Sequence, residues 1–434
     1  MTDITLLLAF IFCIYVLVNR NTGAVVGLIV FSMIIWPEFL RVPIGPIAFS
    51  IPRLAALLLL MRLLIKGKHR KIKKNSIDVM VVVLWLWVIF ATIIADSVIS
   101  YTTQMIGWGL DTVLMYFIAR MSFQNENDVK AFYGWLAITA IIMCILGVIE
   151  TTTSSSPYMG LIQFREWQWI NKPNSYRLGL LRAKASTSVH IYFGMFMMMT
   201  AGMIWSIRKY VENNFRYKIT LLSAFIAALT SMSSGPWLAC SFIIIFSFFE
   251  KRTKYIKPIF ISFVMFAIFL EIASNRHFYN LIDYVALNSG TAWYRTRLLE
   301  IAVNNLNEYW LFGIGSNMPH HWAQQLDGRL HIDIVNHFLM IGLYGGLPAM
   351  LMYIAIHVKT FKRAISARRI HSDDKNKSLL YGLLATILAL DISSMSVSLF
   401  GPPLLLSYLL IGITVALSEN NFNMNNIKEK KHVR

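Results

Sequence analysis

Thirteen apolar runs of 14 to 25 residues divide this 434-residue chain, near 4–19, 22–36, 47–65, 77–95, 104–119, 131–149, 188–207, 219–233, 236–249, 258–272, 333–357, 378–394 and 403–418. A soluble core does not need so many runs of membrane-crossing length. Inside lipid each backbone polar group must be paired within its own segment, so such runs are helices. Only 14% of residues are charged, against about a quarter in a soluble chain. The expected fold is all-α: a polytopic integral membrane protein, a single membrane domain over 1–434. The first two runs are short and Arg53 interrupts the third, so the expected count is twelve or thirteen spans. The first run has no basic flank before it and no small-residue cleavage site after it, so it reads as a retained helix. The side on which the N-terminus lies stays open.

The formal charge is +18, which alone would suggest nucleic acid. The placement of the cations argues against that. Lys66–Lys74, Arg208–Lys218, Lys251–Lys257 and Lys359–Arg369 are short basic blocks between apolar runs. That is the positive-inside pattern of cytoplasmic loops. The 419–434 tail, ending in Lys428, Lys430, Lys431 and Arg434, reads as cytoplasmic too. Alternation then puts two long loops, 151–187 and 273–332, on the far side. Cys13, Cys144 and Cys240 lie in apolar runs and imply no disulfide framework.

The first far-side loop breaks the charge rule. Arg165, Lys172, Arg177, Arg182 and Lys184 face one acid, Glu166. Either an anionic ligand or the lipid phosphates of the interface would account for them. Tyr158, Phe164, Trp167, Trp169 and Tyr176 suit an interfacial aromatic belt, or stacking on sugar rings. In the second loop, Thr291–Glu308 reads as a surface helix, with Tyr294, Leu298, Ile301 and Ala302 at helical spacing. Arg297 has Glu300 three residues on, an ordinary pairing distance. Arg295 has no such acid, which makes it the better ligand candidate. The turn Leu311-Phe-Gly-Ile-Gly315 holds Gly313 and Gly315, which permit a tight turn or a close ligand approach. His320, His321, His331 and His337, with Asp333 and Asn336, lack the i, i+4 spacing of a helical zinc pair, so no metal is expected. His337 opens a membrane run, where an ionisable group is either functional or simply hydrogen-bonded. Gly342, Gly345 and Gly346 read as close helix packing. Ser231-Met-Ser-Ser-Gly-Pro236 joins two runs. It has no nucleophile-elbow pattern, so Ser234 is a candidate donor near the cleft rather than a nucleophile.

The order of these features resembles the O-antigen polymerase and O-antigen ligase superfamily of membrane glycosyltransferases. The resemblance rests on a loop with Arg182 before a helix, the Ser-Ser-Gly-Pro turn and the Arg295 helix. It continues through Leu-Phe-Gly-Ile-Gly to Val335-Asn336-His337 before a glycine-bearing helix. Hydropathy covers the whole chain; the specific motifs cover 177–350. The resemblance implies metal- and cofactor-independent transfer of glycan from undecaprenyl diphosphate at the periplasmic face of a bacterial inner membrane. It maps the family's loop arginines onto Arg182 and Arg295, with Arg177 and Arg297 as near alternatives. Ligases of the family carry His before Asn; here Asn336 precedes His337, which favours polymerase over ligase. His337 and Asp333 are the candidate bases. The expected substrate-binding set is Arg177, Arg297, Ser234, Gly313, Gly315, Asn336 and Asp333. The implied partners are undecaprenyl-diphosphate-linked oligosaccharide and membrane lipid, with a chain-length regulator left open and nucleic acid excluded. A flippase of lipid-linked sugars is the competing class. It would call for polar residues deep in several helices, whereas the runs are apolar through their middles and no inverted repeat is visible.

Overall fold

The computed structural model describes residues 2–44, 47–65, 75–95, 99–162, 175–255, 258, 261–262, 265, 289–315, 319–326 and 332–419. Several sequence-level features lie outside these residues: Arg165, Lys172, Trp167 and Trp169, the basic blocks at 66–74 and 428–434, and most of the run 258–272. The helices are α1 (Thr2–Val18), α2 (Thr22–Ile35), α3 (Ile51–Ile65), α4 (Ser76–Ala95), α5 (Ile99–Ser122), α6 (Glu126–Thr153), α7 (Met159–Ile162), α8 (His190–Ile207), α9 (Asn214–Thr230), α10 (Ser234–Phe249), α11 (Ser289–Asn304), α12 (Leu306–Tyr309), α13 (His337–Ile370), α14 (Asp374–Ser394) and α15 (Pro402–Glu419). Three 3-10 turns (Arg208–Tyr210, Glu250–Tyr255 and His320–Gln325) and two small antiparallel hairpins are also present: β1 (Val42–Ile44) with β2 (Ile47–Phe49), and β3 (Tyr176–Arg177) with β4 (Leu180–Leu181).

The fold is all-α. Among the described residues six helices are long and apolar enough to cross a membrane: α4, α6, α8, α13, α14 and α15. α8, α14 and α15 are buried along most of their length, whereas α4 is buried along about a third. A helix that is apolar all round belongs in the middle of a bundle or in lipid. Large apolar side chains such as Phe10, Leu7, Leu86 and Phe90 face outward, an exposed belt that water would penalise and lipid would not.

Small residues set the central spacing. A Cβ added to Gly202 of α8 would meet Thr386 of α14 at 2.3 Å, and one added to Gly382 of α14 would meet Ser206 of α8 at 2.5 Å. The two helices therefore approach closely at two levels. Local capping fixes the helix starts. Asn125 and Asp128 form a reciprocal capping box before α6, and Asp373 caps α14. A buried ion-pair network joins the ends of four helices. Arg120 of α5 contacts Asp78 of α4 and Glu419 of α15 at 3.2 and 2.5 Å, and Arg363 of α13 also pairs with Glu419.

One run departs from its sequence reading. Residues 333–357 read as a single continuous helix, but α13 breaks at Gly345 and Gly346, the latter at φ 73° and ψ −177°. His337 and Tyr353 are 16 positions apart, which on a straight helix is about 24 Å. Their ring centroids are instead 5.3 Å apart, and those of Phe338 and Tyr353 are 5.6 Å apart. The first two turns of α13 therefore fold back against the rest. The break is satisfied from outside: Ile314 N–H donates to Leu343 O at 2.9 Å, Leu347 N–H to Trp310 O at 2.8 Å, and Trp87 Nε1–H to Gly345 O at 2.7 Å. Non-helical backbone inside such a bundle needs partners of this kind.

Candidate functional site

Two residues in left-handed backbone, Leu178 at φ 55° and Gly179 at φ 77°, turn the β3–β4 hairpin. The hairpin carries Arg177 and delivers the chain into Arg182. The segment after it is clamped residue by residue. Arg182 N–H donates to Ser175 O and Ala183 N–H to Thr230 O, both at 3.0 Å. The N–H groups of Lys184 and Ala185 converge on one carboxylate oxygen of Glu150, at 3.2 and 2.8 Å. Glu150 is itself buried at the end of α6.

The Arg182 guanidinium is held in three directions. It donates to the Ser233 hydroxyl at 2.9 Å, to the Ser175 hydroxyl at 3.3 Å and, at 3.5 Å, to the Ser231 carbonyl. Arg177 donates to the Met232 carbonyl at 2.9 Å. The Ser231–Ser233 turn is thus the cradle for both arginines. Ser233 stands at the N-cap of α10 but makes no side-chain cap bond; its hydroxyl serves Arg182 instead. The positive end of the α10 dipole starts beside it.

Arg295 of α11 lies within electrostatic reach of Arg177. It is buried, and its Nε has no hydrogen-bond partner. Burial first, and the nearby Arg177 second, pull its pKa below the ordinary guanidinium value. The same two causes in the same order bring Arg182 down to about 10. Among the described residues none of the three arginines forms an ion pair. Arg177 and Arg182 thus share the Ser231–Ser233 turn, with Arg295 within electrostatic reach of Arg177, and no counter-charge pairs with any of them among the described residues. Such a cluster costs folding free energy until an anion arrives. Between about pH 10 and the ordinary guanidinium value the unfolded chain binds more protons than the folded one. In that window stability therefore rises with pH, and the affinity of the cluster for anions falls.

The other candidate residues have different surroundings. Arg297 pairs with Glu300 at 2.9 Å and is half-exposed. Ser234 lies one residue past the serine that holds Arg182; the two hairpin arginines bond to Ser175, Ser231, Met232 and Ser233 instead. Asn336 caps α13, its side-chain oxygen accepting from Leu339 N–H at 3.0 Å. Asp333 is exposed, and its backbone is pinned by the Tyr294 hydroxyl, which accepts from Asp333 N–H and donates to Asp333 O, both at 2.8 Å. Since Tyr294 precedes Arg295, this link registers the arginine helix on the segment leading into α13. Gly313 packs against the α13 break, where an added Cβ would lie 2.3 Å from Leu343 O. Gly315, at φ 63°, ends the same turn. His337 is buried and accepts from Leu399 N–H through Nδ1 at 3.2 Å. Among the described residues no three His, Cys, Asp or Glu side chains gather as a metal-binding set.

Sequence reasoning passed over Ser175 and Glu150, singled out Ser234 rather than Ser233 in the turn, and named Tyr294 only for its place in a helical stripe. Only Glu150, an acid closing an apolar run, carried a visible signal. Glu150→Ala leaves the buried Ala185 N–H without an acceptor, at about 1–3 kcal/mol, and the part-buried Lys184 N–H at less. The expected result is a thermal midpoint several degrees lower, with Glu150→Gln closer to wild type because its carbonyl still accepts.

No protein-family model matches the chain, and no curated protein matches it significantly.

Proposed function

We propose that this protein is a polymerase that transfers undecaprenyl-diphosphate-linked glycan onto another lipid-linked repeat unit, building O-antigen or exopolysaccharide at the periplasmic face of a bacterial inner membrane. The observation that carries the reading is that Arg177 and Arg182 are held on one turn, with the buried Arg295 within electrostatic reach of Arg177, and that none of them pairs with an acid among the described residues. When the lipid diphosphate departs from the anomeric carbon, negative charge grows on its oxygens. Guanidinium groups already fixed by Ser175, Ser231, Met232 and Ser233 stabilise that charge without reorganising. A partly desolvated site strengthens the attraction. The resemblance of the 177–350 motifs to O-antigen polymerases and ligases points to the same chemistry.

In this reading the chain crosses the membrane twelve or thirteen times and the segments 151–187 and 273–332 lie outside. Among the described residues six helices meet the length and hydropathy of a span and two shorter helices, α1 and α2, are apolar, so the higher count rests on the hydropathy of the sequence. The reaction uses no metal: the arginines supply the electrophilic stabilisation.

A second class retains one specific argument. Polar pairs do sit inside the bundle, Arg53 with Asp111 at 2.6 Å and His357 with Asp391 at 2.8 Å, which suits a flippase of lipid-linked sugars better than the sequence alone suggested. Deleting the gene and resolving the surface polysaccharide on a gel separates the classes. Loss of a polymerase leaves single repeat units on the acceptor. Loss of a ligase leaves long chains on undecaprenyl diphosphate. Loss of a flippase leaves unpolymerised units inside the cell. The first result is expected, and either of the others removes the proposal.

A further inference from the structure

The β3–β4 hairpin reads Tyr-Arg-Leu-Gly-Leu-Leu-Arg from Tyr176 to Arg182, an apolar tip between two cations with no acid. A hairpin that ends in water usually carries Gly, Asn or Asp at its tip. Here leucine shares the turn with glycine. Leu178 stands at φ 55°, a left-handed conformation that leucine seldom adopts. It is 82% exposed, more than any outward apolar side chain of α9 or α10. Tyr176 and Leu180 are exposed as well. A Cβ added to Gly179 would meet no atom within 4 Å, so among the described residues the tip stands clear of its neighbours. Backbone strain and apolar exposure fall on one residue, and both cost free energy. A partner that buries the leucine offsets them.

The base of the hairpin is fixed to the bundle. Leu181, paired with Tyr176, is buried, and β4 packs against α6. Arg177 donates to Met232 O at 2.9 Å. Met232 N–H and the Trp237 indole N–H both donate to Leu229 O at 3.0 Å. Leu229 ends the outward apolar row that α9 forms with Ile219 and Leu222. The hairpin therefore leaves the bundle where the apolar belt of α9 ends and beside Trp237, an aromatic residue suited to the edge of a bilayer. Its cationic collar, Arg177 and Arg182, matches the phosphates of the headgroup layer.

We propose that the β3–β4 hairpin inserts Leu178 and Leu180 into the bilayer leaflet at its own end of the bundle, with Tyr176 among the headgroups. The partner of the exposed tip is membrane lipid. Insertion keeps Arg177 and Arg182 at headgroup depth, so a phosphate ligand reaches them from the plane of the bilayer rather than from water. The inference goes beyond the polymerase reading and does not rest on it: the tip inserts whatever anion the arginines hold.

The test uses the full-length protein with Cys13, Cys144 and Cys240 replaced by alanine, in phosphatidylethanolamine–phosphatidylglycerol vesicles that contain no polyprenyl lipid. A nitroxide is attached at Leu178→Cys. Its collisions with oxygen, which concentrates in lipid, are compared with those with a water-soluble nickel chelate. Leu222→Cys on α9 gives the lipid reference. Asp374→Cys at the start of α14, where the side chain is 85% exposed, gives the water reference. The expected preference for oxygen at 178 matches that at 222; a preference matching that at 374 overturns the proposal. With the label moved to Tyr176→Cys, the pair Leu178→Asn and Leu180→Ser should abolish the preference. Asparagine accepts the left-handed backbone, so the size-exclusion profile should stay that of the parent. A preference that survives the pair shows that the leucines do not carry the insertion. A preference that arises only when undecaprenyl diphosphate is added makes the partner a substrate tail. Spin–spin broadening that disappears on dilution with unlabelled protein makes it a second copy of the chain. Any of these three results overturns the proposal, and none of them bears on the polysaccharide ladder that tests the polymerase reading.

Discussion

Arg295→Ala and Arg182→Ala are each expected to lose about 10²–10³-fold in polymerising activity, the usual cost of removing one preorganised donor from developing charge. The two losses have different routes. Arg295 is buried with Nε unpartnered, so its charge is available to a ligand and its removal takes little from the fold. Removing a buried cation that repels Arg177 should leave the thermal midpoint unchanged or raise it. Lower activity with equal or higher stability is the signature of a site residue rather than a structural one. Arg182 is bonded to Ser175, Ser231 and Ser233. Arg182→Lys keeps the charge but not the planar fork, and should recover only part of the activity. Arg297→Ala is the control. Its half-exposed pair with Glu300 is worth a few tenths of a kcal/mol, roughly 0.2–0.5. Its activity should remain near wild type. Expression is compared by detergent extraction and size-exclusion profile, and activity by the polysaccharide ladder.

The largest expected effect on folding belongs to Gly346→Ala. Gly346 has φ 73° and ψ −177°, a region that only glycine occupies without strain, at about 1–3 kcal/mol for other residues. An added Cβ would also lie 2.1 Å from Leu311 O. That neighbour is backbone and cannot rotate away. The 311–315 turn would have to lift off the α13 break, and with it would go the bonds from Ile314 to Leu343 and from Leu347 to Trp310. Together these amount to more than about 3 kcal/mol out of a typical 5–15. Little extractable protein should remain. Gly342→Ala should fold normally, because the nearest atom to its added Cβ is the flexible Met350 sulfur at 3.7 Å.

The helical class and the approximate places of the helices were legible in the hydropathy, because lipid leaves the backbone no alternative. The fold-back of α13 was not. Residues 338–356 carry no charged or amide side chain, and a hairpin of two apolar helices has the same hydropathy as one long helix. Gly345 and Gly346 were visible but ambiguous, since glycine serves close packing as readily as a turn. Arg182 and Arg295 were legible as cations lacking a local acid. The Arg297–Glu300 pair was legible from its i, i+3 spacing, whereas the meeting of Arg177 with Arg182 on the Ser231–Ser233 turn depends on tertiary packing that spacing does not encode. Ser233 in place of Ser234 is a one-residue difference set by the φ of 47° at Met232. His357 and Asp391 escaped notice because their meeting depends on how α13 packs against α14.

The account stands on the three arginines holding a diphosphate. The most direct measurement compares binding of undecaprenyl diphosphate and of undecaprenol, the same lipid without phosphate, to the purified protein in nanodiscs. Wild-type protein should bind the diphosphate at least tenfold more tightly than the alcohol, and Arg295→Gln should remove most of that difference. Equal affinity for the two lipids, or a preference that survives the loss of Arg295 and Arg182 together, would contradict it.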